Sequence, residues 1–313
     1  MKLIFMGTPD FSVGTLEALI EAGHTISLVV SQPDKPKGRG HELQPTPVKE
    51  VALKYDLPIY QPVKLKGQEA EQRIFETEAD AIVVVAFGQL IPKSILQMKK
   101  YGCINVHASL LPKYRGAAPI QWAVIDGEKE SGVTIMQMDE GLDTGDMLLK
   151  KTVVLEEKET GGSLFDKLSL VGAKACVEAL EKLEKGEITP QKQGESPTAY
   201  AKMLTKDMGS IDFTRSAVEI ERLVRGLNPW PSAYTKLNGK TLKVWSADVI
   251  PVADSDGVKA APGSVTAVTR TAIHVACGQD ILAITELQLE GKKRMDTGAF
   301  LRGYQVEAGT VLG

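Results

Sequence analysis

Residues 2–10 read Lys2-Leu3-Ile4-Phe5-Met6-Gly7-Thr8-Pro9-Asp10, a short apolar run followed by a turn. An uninterrupted apolar run of this length is typical of a strand that is buried on both faces of a parallel sheet. Similar runs occupy residues 25–30 and 81–86, and amphipathic segments lie between them. Because neighbouring parallel strands are joined by crossover segments, usually helices, this alternation predicts an α/β domain.

The helices that join these strands are predicted at residues 13–22, 47–55 and 68–77, where apolar residues recur with helical spacing. Two further strands are predicted at residues 102–106 and 133–138, and each leads into a polar segment. In open sheets of this kind, ligands bind beyond the carboxyl ends of the strands. We therefore expect both polar segments to open at the same edge of a Rossmann-like parallel sheet.

The second half of the chain is organised differently. A long helix is predicted at residues 163–185, and residues 189–197 are rich in Pro, Gln and Gly, as linkers often are. One more helix is predicted at residues 217–225, and short β-like runs follow at residues 233–237, 241–245, 263–269, 272–276 and 281–289. The sequence thus predicts an α/β domain at 1–188, a linker at 189–207 and a small, mainly β domain at 208–313. The strand pattern fits a barrel or a sandwich, and we predict an OB-like β-barrel.

Composition excludes several classes of protein. No stretch approaches the roughly 18 apolar residues of a membrane-spanning helix, and the first residues reach Gly and Pro too early for a signal peptide. A cytoplasmic protein with no membrane partner is therefore expected. The three cysteines, Cys103, Cys176 and Cys277, lie far apart and form no metal-binding motif, so neither a disulfide framework nor a metal site is expected.

The charge distribution limits the kinds of partner. The formal net charge is −3, which argues against a protein that coats DNA. Residues 208–313 contain 12 Lys+Arg and 11 Asp+Glu, whereas the preceding residues contain 25 and 29. A binding site for a polyanion would therefore have to be a local patch of basic side chains.

The most informative motif is Asn105-Val106-His107, at the end of a predicted strand. Strand alternation places Asn105 and His107 on the same face, so an amide and an imidazole lie side by side. Asp143 lies in a glycine-flanked turn after the next predicted strand and is expected to meet this pair. Cys103 could share the face of Asn105, but we interpret it as a small buried residue.

The turn Gly7-Thr8-Pro9-Asp10 lies where many α/β proteins bind phosphates or cofactors. However, it lacks the GxGxxG pattern that a dinucleotide site requires. A nicotinamide-dependent oxidoreductase is therefore disfavoured.

The motif around Asn105 resembles the signature of the folate-dependent formyltransferases. The match comprises Asn105, His107, Ser109-Leu110-Leu111-Pro112, Gly116 and Asp143. Members of this family formylate purine precursors, amino sugars or charged tRNA, so the signature indicates the chemistry without the acceptor.

Three other segments are similar to those members of the family that act on methionyl initiator tRNA. They are Gly7-Thr8-Pro9-Asp10-Phe11, the glycine-rich basic loop at residues 32–40, and Asn228-Pro229-Trp230-Pro231 with the later Lys243-Val244-Trp245. This resemblance extends essentially from end to end. It implies transfer of the formyl group of 10-formyltetrahydrofolate to the α-amino group of methionyl initiator tRNA, and we expect a monomer.

The resemblance also implies catalytic roles. Formyl transfer to an amine passes through a tetrahedral intermediate with negative charge on the former carbonyl oxygen, which needs preorganised donors. Asn105 and His107 can supply them, and Asp143 can accept the proton of the attacking amine, directly or through water. This chemistry requires no metal.

Binding roles are expected for two further groups of residues. The pterin of the folate is expected in an apolar cleft lined by Phe87, Gln89, Ile91, Ser109, Leu110, Leu111, Pro112 and Asp139. The tRNA is expected to contact the basic residues Lys35, Lys37 and Arg39 of the loop at residues 32–49, together with Lys206. Lys49, Lys202, Arg222, Arg225 and residues 292–294 are additional candidates for contacts to RNA.

Two alternatives remain at this level. A formyltransferase acting on an amino sugar or nucleotide sugar would share the Asn, His and Asp signature, although the glycine-rich basic loop argues against it. An RNA-binding protein with a disused catalytic domain is disfavoured because Asn105, His107 and Asp143 are all present.

Overall fold

The structure is a computed structural model that describes residues 1–37, 42–252 and 260–313. The chain forms two compact units. Unit 1 comprises Met1–Pro119, Glu130–Val154 and Phe165–Ala201, and unit 2 comprises Ile120–Lys129, Leu155–Leu164 and Lys202–Gly313. The boundaries predicted from the sequence treated the domains as consecutive. In the structure, residues 189–201 of the predicted linker belong to unit 1.

The elements up to residue 184 are, in chain order, β1 (Lys2–Gly7), α1 (Asp10–Glu21), β2 (Thr25–Val30), β3 (Lys35–Lys37), β4 (Glu42–Gln44), α2 (Pro47–Lys54), β5 (Ile59–Tyr60), α3 (Gln68–Glu76), β6 (Ala81–Val85), α4 (Lys93–Leu96), β7 (Cys103–His107), α5 (Pro119–Ile125), β8 (Glu130–Gln137), β9 (Met147–Val154) and α6 (Gly161–Glu184). The later elements are α7 (Ala217–Gly226), β10 (Ala233–Leu237), β11 (Lys240–Ile250), β12 (Val265–Val268), β13 (Ile273–Ala276), β14 (Ile281–Leu289), β15 (Met295–Asp296) and α8 (Thr297–Leu301).

Unit 1 is built on a seven-stranded sheet in the order β5-β2-β1-β6-β7-β8-β9. The strands β2, β1, β6 and β7 are parallel, as predicted, and β5, which was not predicted, adds a short parallel strand beside β2. Every residue of β6 and β7 is buried, as expected for strands covered on both faces. A Rossmann-like α/β architecture is thus confirmed for this part of the chain.

The last two strands of this sheet depart from the prediction. β8 runs antiparallel to β7, with His107 opposite Thr134 and Ile104 opposite Gln137. β9 is antiparallel to β8 and was not predicted as a strand. Its residues alternate between buried or half-buried and exposed positions, so its sequence lacks the continuous apolar run that marks a central strand. The sheet is therefore mixed, with parallel strands in the majority.

The predicted helices of unit 1 begin and end close to the predicted residues, and capping explains the start of α2. Thr46 caps α2 by accepting a hydrogen bond from the Lys49 N–H at 3.2 Å, and Pro47 follows at the first helical position. α1 begins at Asp10, three residues before the predicted start. It packs through Phe11, whose ring lies edge-on to that of Phe165 with centroids 5.3 Å apart.

Unit 2 contains an antiparallel sheet in the order β10-β11-β14-β13-β12, and β15 pairs with β14. The turn between β10 and β11 is Asn238-Gly239, and both residues have positive φ, at 49° and 77°. This conformation matches the right-handed twist of the flanking strands, which is why Asn-Gly is common in two-residue hairpins. α7 begins with a reciprocal capping box between Ser216 and Glu219. The predicted β domain following the α/β domain is confirmed as an antiparallel sheet with its own buried core.

None of the helices in the described parts of the chain combines the length and the apolar character needed to cross a membrane.

Candidate active site

Asn105 and His107 lie on the same face of β7, as strand alternation predicts, and their exposed fractions are only 8% and 6%. The side-chain amide of Asn105 forms no hydrogen bond with any residue that the structure describes. The amide nitrogen and oxygen are not completely enclosed, so they can be reached without first breaking a bond within the protein. The amide is therefore well suited to bind a ligand or a reacting group.

His107 is held by a backbone carbonyl. Its Nε2 lies 3.0 Å from the carbonyl oxygen of Tyr114, and its Nδ1 lies 3.7 Å from Oδ1 of Asp143. Because a carbonyl oxygen can only accept, this contact assigns a hydrogen to Nε2. Nδ1 is therefore the nitrogen that is not bound to the Tyr114 carbonyl, and it faces the Asp143 carboxylate.

Asp143 reaches His107 by a route that the sequence analysis did not anticipate. Because β8 is antiparallel to β7, the loop after β8 begins beside Ile104, about 10 Å from His107 along the strand. The expectation that both polar loops open at the same edge was therefore wrong. The β8–β9 loop instead folds back to bring Asp143 beside His107, where the Gly116 N–H donates to Oδ2 of Asp143 at 2.9 Å.

The segment that follows His107 is fixed to β8. The Thr134 hydroxyl, directly opposite His107, donates to the Ser109 carbonyl at 2.7 Å and accepts from the Leu111 N–H at 3.0 Å. Ser109 is buried and donates its hydroxyl to the Lys113 carbonyl at 2.6 Å. The side chain of Leu111 lies in the core, whereas Leu110 and Pro112 are half-buried. This segment is therefore rigid before any ligand binds.

The other residues predicted to bind folate have structural partners of their own. Phe87 is 2% exposed and packs in the same core as the buried side chains of β6 and β7. Gln89 accepts from the Leu65 N–H at 2.9 Å and directs its amide towards the carbonyls of Pro62 and Val63. A folate contact from these two residues would therefore come from backbone groups.

Two more predicted folate residues lie on the loops that flank the site. Ile91 is half-buried against the same core as Phe87. Asp139 is exposed and closes the β8–β9 loop by accepting from the Gly141 N–H at 3.0 Å and from the Thr144 hydroxyl at 2.7 Å. An ion pair of 2.6 Å connects Lys93, at the start of α4, to Glu140 of the β8–β9 loop. Folate binding by these residues stays a prediction.

The turn at Gly7-Thr8-Pro9-Asp10 acts as a structural junction. The Thr8 hydroxyl donates to the Phe87 carbonyl at 2.9 Å, and Nε2 of Gln32 donates to the same oxygen at 3.0 Å. The backbone of Gln32 donates to the Thr8 hydroxyl at 3.4 Å. The base of the basic loop is thus tied to the loop that carries Phe87, and no sequence motif indicated this connection.

The basic loop at residues 32–49 contains a short hairpin formed by β3 and β4. Lys35 lies exposed on β3, and Lys37 ends that strand. Arg39 lies outside the described residues. Lys49 is paired with Asp34 at 2.5 Å, so it is less available for RNA than the sequence suggested.

The basic residues of unit 2 that were predicted to contact RNA differ in whether their charge is already paired within the protein. Lys206 is exposed and forms no ion pair with any residue that the structure describes. Arg225, in contrast, is bound to Glu221 at 2.7 Å and to the Glu159 carbonyl at 2.8 Å. Arg294 is bound to Glu286 and lies 4.6 Å above the ring of Trp245. Both arginines therefore have structural roles that the sequence did not reveal.

Cys103 is fully buried in the core, in agreement with its interpretation as a small buried residue. Burial raises the pKa of its thiol to about 12, so the reactive thiolate is absent at neutral pH.

The segment at residues 191–201 contributes to the site although it was predicted to be a linker. Gln193 donates to the backbone of the β8–β9 loop, and Thr198 accepts from the Tyr114 N–H at 2.7 Å. Its composition of Pro, Gln and Gly suits an extended chain fixed by side-chain hydrogen bonds as well as it suits a linker.

Comparison with known proteins identifies related families and structures. A family model described as formyl transferase matches residues 1–180, and one described as formyl transferase, C-terminal domain, matches residues 203–305. A methionyl-tRNA formyltransferase of Agathobacter rectalis is 60% identical over 312 residues, covering 99% of both chains. One of Lachnospira eligens is 58% identical over 316 residues, covering 100% of both chains.

Solved structures with the same fold are more distant. An N-formyltransferase from Helicobacter canadensis, in complex with folinic acid and dTDP-3-aminofucose, has a TM-score of 0.67 at 16% identity, over 91% of this chain and 99% of that one. HypX from Aquifex aeolicus, in complex with tetrahydrofolic acid, has a TM-score of 0.61 at 19% identity and matches 99% of this chain. The present chain spans only 50% of HypX. At these identities the likeness shows the fold alone.

Proposed function

The chain belongs to the formyl transferase family, and we propose that it transfers the formyl group of 10-formyltetrahydrofolate to the α-amino group of methionyl initiator tRNA, for translation initiation. The observation that carries this proposal is the arrangement of the Asn105 amide, the His107 imidazole and the Asp143 carboxylate. It occurs in a chain that is 60% identical, over 99% of its length, to a methionyl-tRNA formyltransferase.

Asn105 is the principal donor to the developing oxyanion. Its amide is buried and has no partner among the described residues, so it can donate to a substrate oxygen without first breaking a bond within the protein. Such a preorganised donor stabilises the transition state more than the ground state, because negative charge develops on the oxygen only during the reaction.

His107 contributes through Nδ1, because Nε2 is already bound to the Tyr114 carbonyl. When Nδ1 is protonated, it can donate to the same oxygen, and the neighbouring Asp143 carboxylate balances its charge at 3.7 Å. The contact with Tyr114 also fixes the orientation of the ring. The imidazole therefore needs no large reorientation during the reaction.

Asp143 is the proton acceptor. An α-amino group has a pKa of roughly 7.7 to 8.0, so a useful fraction is neutral and nucleophilic near neutral pH. After the amine attacks, its nitrogen is positively charged and must lose a proton, while the departing nitrogen of the folate takes one up. The Asp143 side chain is 21% exposed, so it can receive this proton directly or through a water molecule.

The residues around the site suit a folate cosubstrate. Leu90 and Leu142 lie on the two flanking loops and are 79% and 56% exposed, so apolar surface is available to a flat ring. Backbone groups of residues 87–91 and 139–143 can supply polar contacts to that ring, as proposed for Phe87, Gln89, Ile91 and Asp139.

The assignment of tRNA as the acceptor rests on the relatives and on the basic loop. The sugar formyltransferases share the fold at 16–18% identity, whereas the relatives named for methionyl-tRNA are 58–60% identical over the whole chain. Lys35, Lys37, Arg39 and Lys206 are proposed to contact the RNA backbone. A monomeric enzyme in the cytoplasm is part of the proposal.

The test is transfer of labelled formyl from 10-formyltetrahydrofolate to purified methionyl initiator tRNA, with an amino-sugar nucleotide as the competing acceptor. We expect transfer to the tRNA and its loss in His107→Ala. His274→Ala in unit 2 is the matched control and should retain full activity. Transfer to the sugar alone would support formyl transfer but contradict tRNA as the acceptor. Transfer that survives in His107→Ala would overturn the site.

A further inference from the structure

We propose that Gln193 is a positioning residue for the catalytic carboxylate, and that it acts by fixing both Asp143 and the backbone group that binds Asp143. Gln193 belongs to the segment at residues 191–201, outside both loops that form the site. The proposal rests on the function proposed above and assigns a new role within the same site.

The first half of the argument concerns the β8–β9 loop. Nε2 of Gln193 donates to the carbonyl of Asp143 at 2.9 Å and to the carbonyl of Gly145 at 2.8 Å. Asp143 has a φ of 56°, a backbone conformation that costs energy for non-glycine residues. Such a conformation persists where surrounding contacts hold it. One side-chain amide therefore ties down the backbone on both sides of Thr144, in the stretch that carries the carboxylate.

The second half concerns the loop after β7. Oε1 of Gln193 accepts from Nε of Arg115 at 3.0 Å and from Nη2 at 2.8 Å, and Nη2 also donates to the Gly194 carbonyl at 2.8 Å. Arg115 directly precedes Gly116, whose N–H donates to the Asp143 carboxylate. Gln193 thus fixes the acceptor and the donor of that hydrogen bond at the same time.

The surrounding segment is held independently of the Gln193 side chain. Gln191 and Met147 exchange two backbone hydrogen bonds of 2.8 Å. The Ala201 N–H donates to the Arg115 carbonyl at 2.8 Å. Removing the Gln193 side chain should therefore loosen the Asp143 loop without releasing the segment.

The test compares three variants in the formyl-transfer assay. Gln193→Ala should lower kcat about 10- to 100-fold, because displacements of about 1 Å near a reacting group have effects of this size. The KM values for folate and tRNA should change less than about threefold. Gln193→Glu keeps the acceptor for Arg115 but loses both donors, so its kcat should be at least as low. Gln191→Ala, with an exposed side chain two residues away, should match the wild type.

A double-mutant cycle separates positioning from a general structural role. If Gln193 acts through Asp143, Gln193→Ala should have little effect in the Asp143→Asn background. Full additivity, or a Gln193→Ala enzyme with a kcat within twofold of the wild type, would overturn the proposal.

A second readout does not depend on activity. The NMR resonances of the His107 imidazole can be assigned because they disappear in His107→Ala. Their chemical shifts should change in Gln193→Ala and stay the same in Gln191→Ala. Unchanged resonances in Gln193→Ala would also overturn the proposal. A wild-type protein that fails to transfer formyl would instead overturn the proposed function, and the resonances would still decide the role of Gln193.

Discussion

At the scale of single residues, Asn105 combines deep burial with an amide that has no partner among the described residues. Such an amide contributes little to stability, because no hydrogen bond among the described residues depends on it. Asn105→Ala should therefore lower kcat about 10²- to 10³-fold while leaving Tm equal or slightly higher. Steady-state kinetics and thermal melting test this together. A variant that loses its fold and its activity in parallel would show that Asn105 is a core residue.

Asp143 is expected to act through its charge rather than its shape. Asn at this position keeps an oxygen that can accept from Gly116, and Asn tolerates the positive φ of 56°. Asp143→Asn should therefore fold normally and lose about 10²- to 10⁴-fold in kcat, the range typical of a general base. The matched control is Asp146→Asn in the same loop, which should remain active. Near-normal turnover of Asp143→Asn would remove it from the mechanism.

These residues also show what the sequence could predict. Asn105 and His107 were placed correctly because alternation along one strand is a local property. Asp143 was assigned to the site by the motif, but the path that brings it there depends on strand direction, which composition does not encode. Gln193 gave no signal, because a glutamine that binds distant backbone groups looks the same in sequence as one exposed to solvent.

At the scale of elements, the hairpin of β3 and β4 carries the basic residues proposed to contact tRNA. Replacing both Lys35 and Lys37 with Ala should raise KM for tRNA. It should also reduce the slope of log binding constant against log salt concentration by about one unit for each phosphate that is no longer neutralised. The KM for folate should not change. Lys185→Ala, at the end of α6, is the matched control. An equal loss of folate affinity would contradict a role for the hairpin in RNA binding.

The base of the same hairpin makes a prediction about pH. Hydrogen bonds from Lys49 and Gln61 hold the pKa of the Asp34 carboxyl below its usual value. A lowered pKa in the folded state adds stability above the unfolded-state pKa and loses it as the pH falls through the folded value. The Tm difference between wild type and Asp34→Asn should thus be present at pH 7 and shrink below about pH 4. A difference that persists undiminished at pH 3 would contradict this assignment.

The central strands of the sheet were predicted from the sequence, whereas the edge strand β9 was not, and the difference has a physical reason. The central strands β1, β2, β6 and β7 are almost entirely buried, and their sequences are mostly apolar, with the uninterrupted runs in β1 and β6 the clearest signals. β9 ends the sheet and alternates with exposed residues, so nothing in its sequence distinguished it from surface loop.

At the scale of the whole molecule, unit 2 shows why basic residues cannot be counted as RNA contacts from sequence alone. Its Lys+Arg and Asp+Glu residues beyond position 207 nearly balance, at 12 and 11. Arg225 and Arg294 are bound to Glu221 and Glu286, whereas Lys206 and residues 292–293 form no ion pairs among the described residues. Any RNA contact from this unit should come chiefly from these lysines.

Unit 2 also includes two segments that precede the end of unit 1 in the chain, residues 120–129 and 155–164. The Trp122 indole donates to the Lys202 carbonyl at 2.9 Å, and the Gly162 N–H donates to the Asn228 carbonyl at 2.9 Å. Glu159 is 2% exposed and its carbonyl accepts from Arg225. Residues 120–129 and 155–164 therefore depend on residues 202–228 for some of their hydrogen bonds.

Removal of residues 208–313 should consequently destabilise what remains, since each buried polar group left without a partner costs about 1 to 3 kcal/mol. We expect the truncated chain to melt well below the full-length protein and to bind folate more weakly. A full-length variant with Lys206, Lys292 and Lys293 replaced by Ala should keep the wild-type Tm and lose tRNA affinity. If the truncated chain melts and binds folate like the full-length protein, the contacts of residues 208–313 with residues 120–129 and 155–164 contribute nothing to stability. If the triple variant keeps its tRNA affinity, unit 2 does not bind RNA through these lysines.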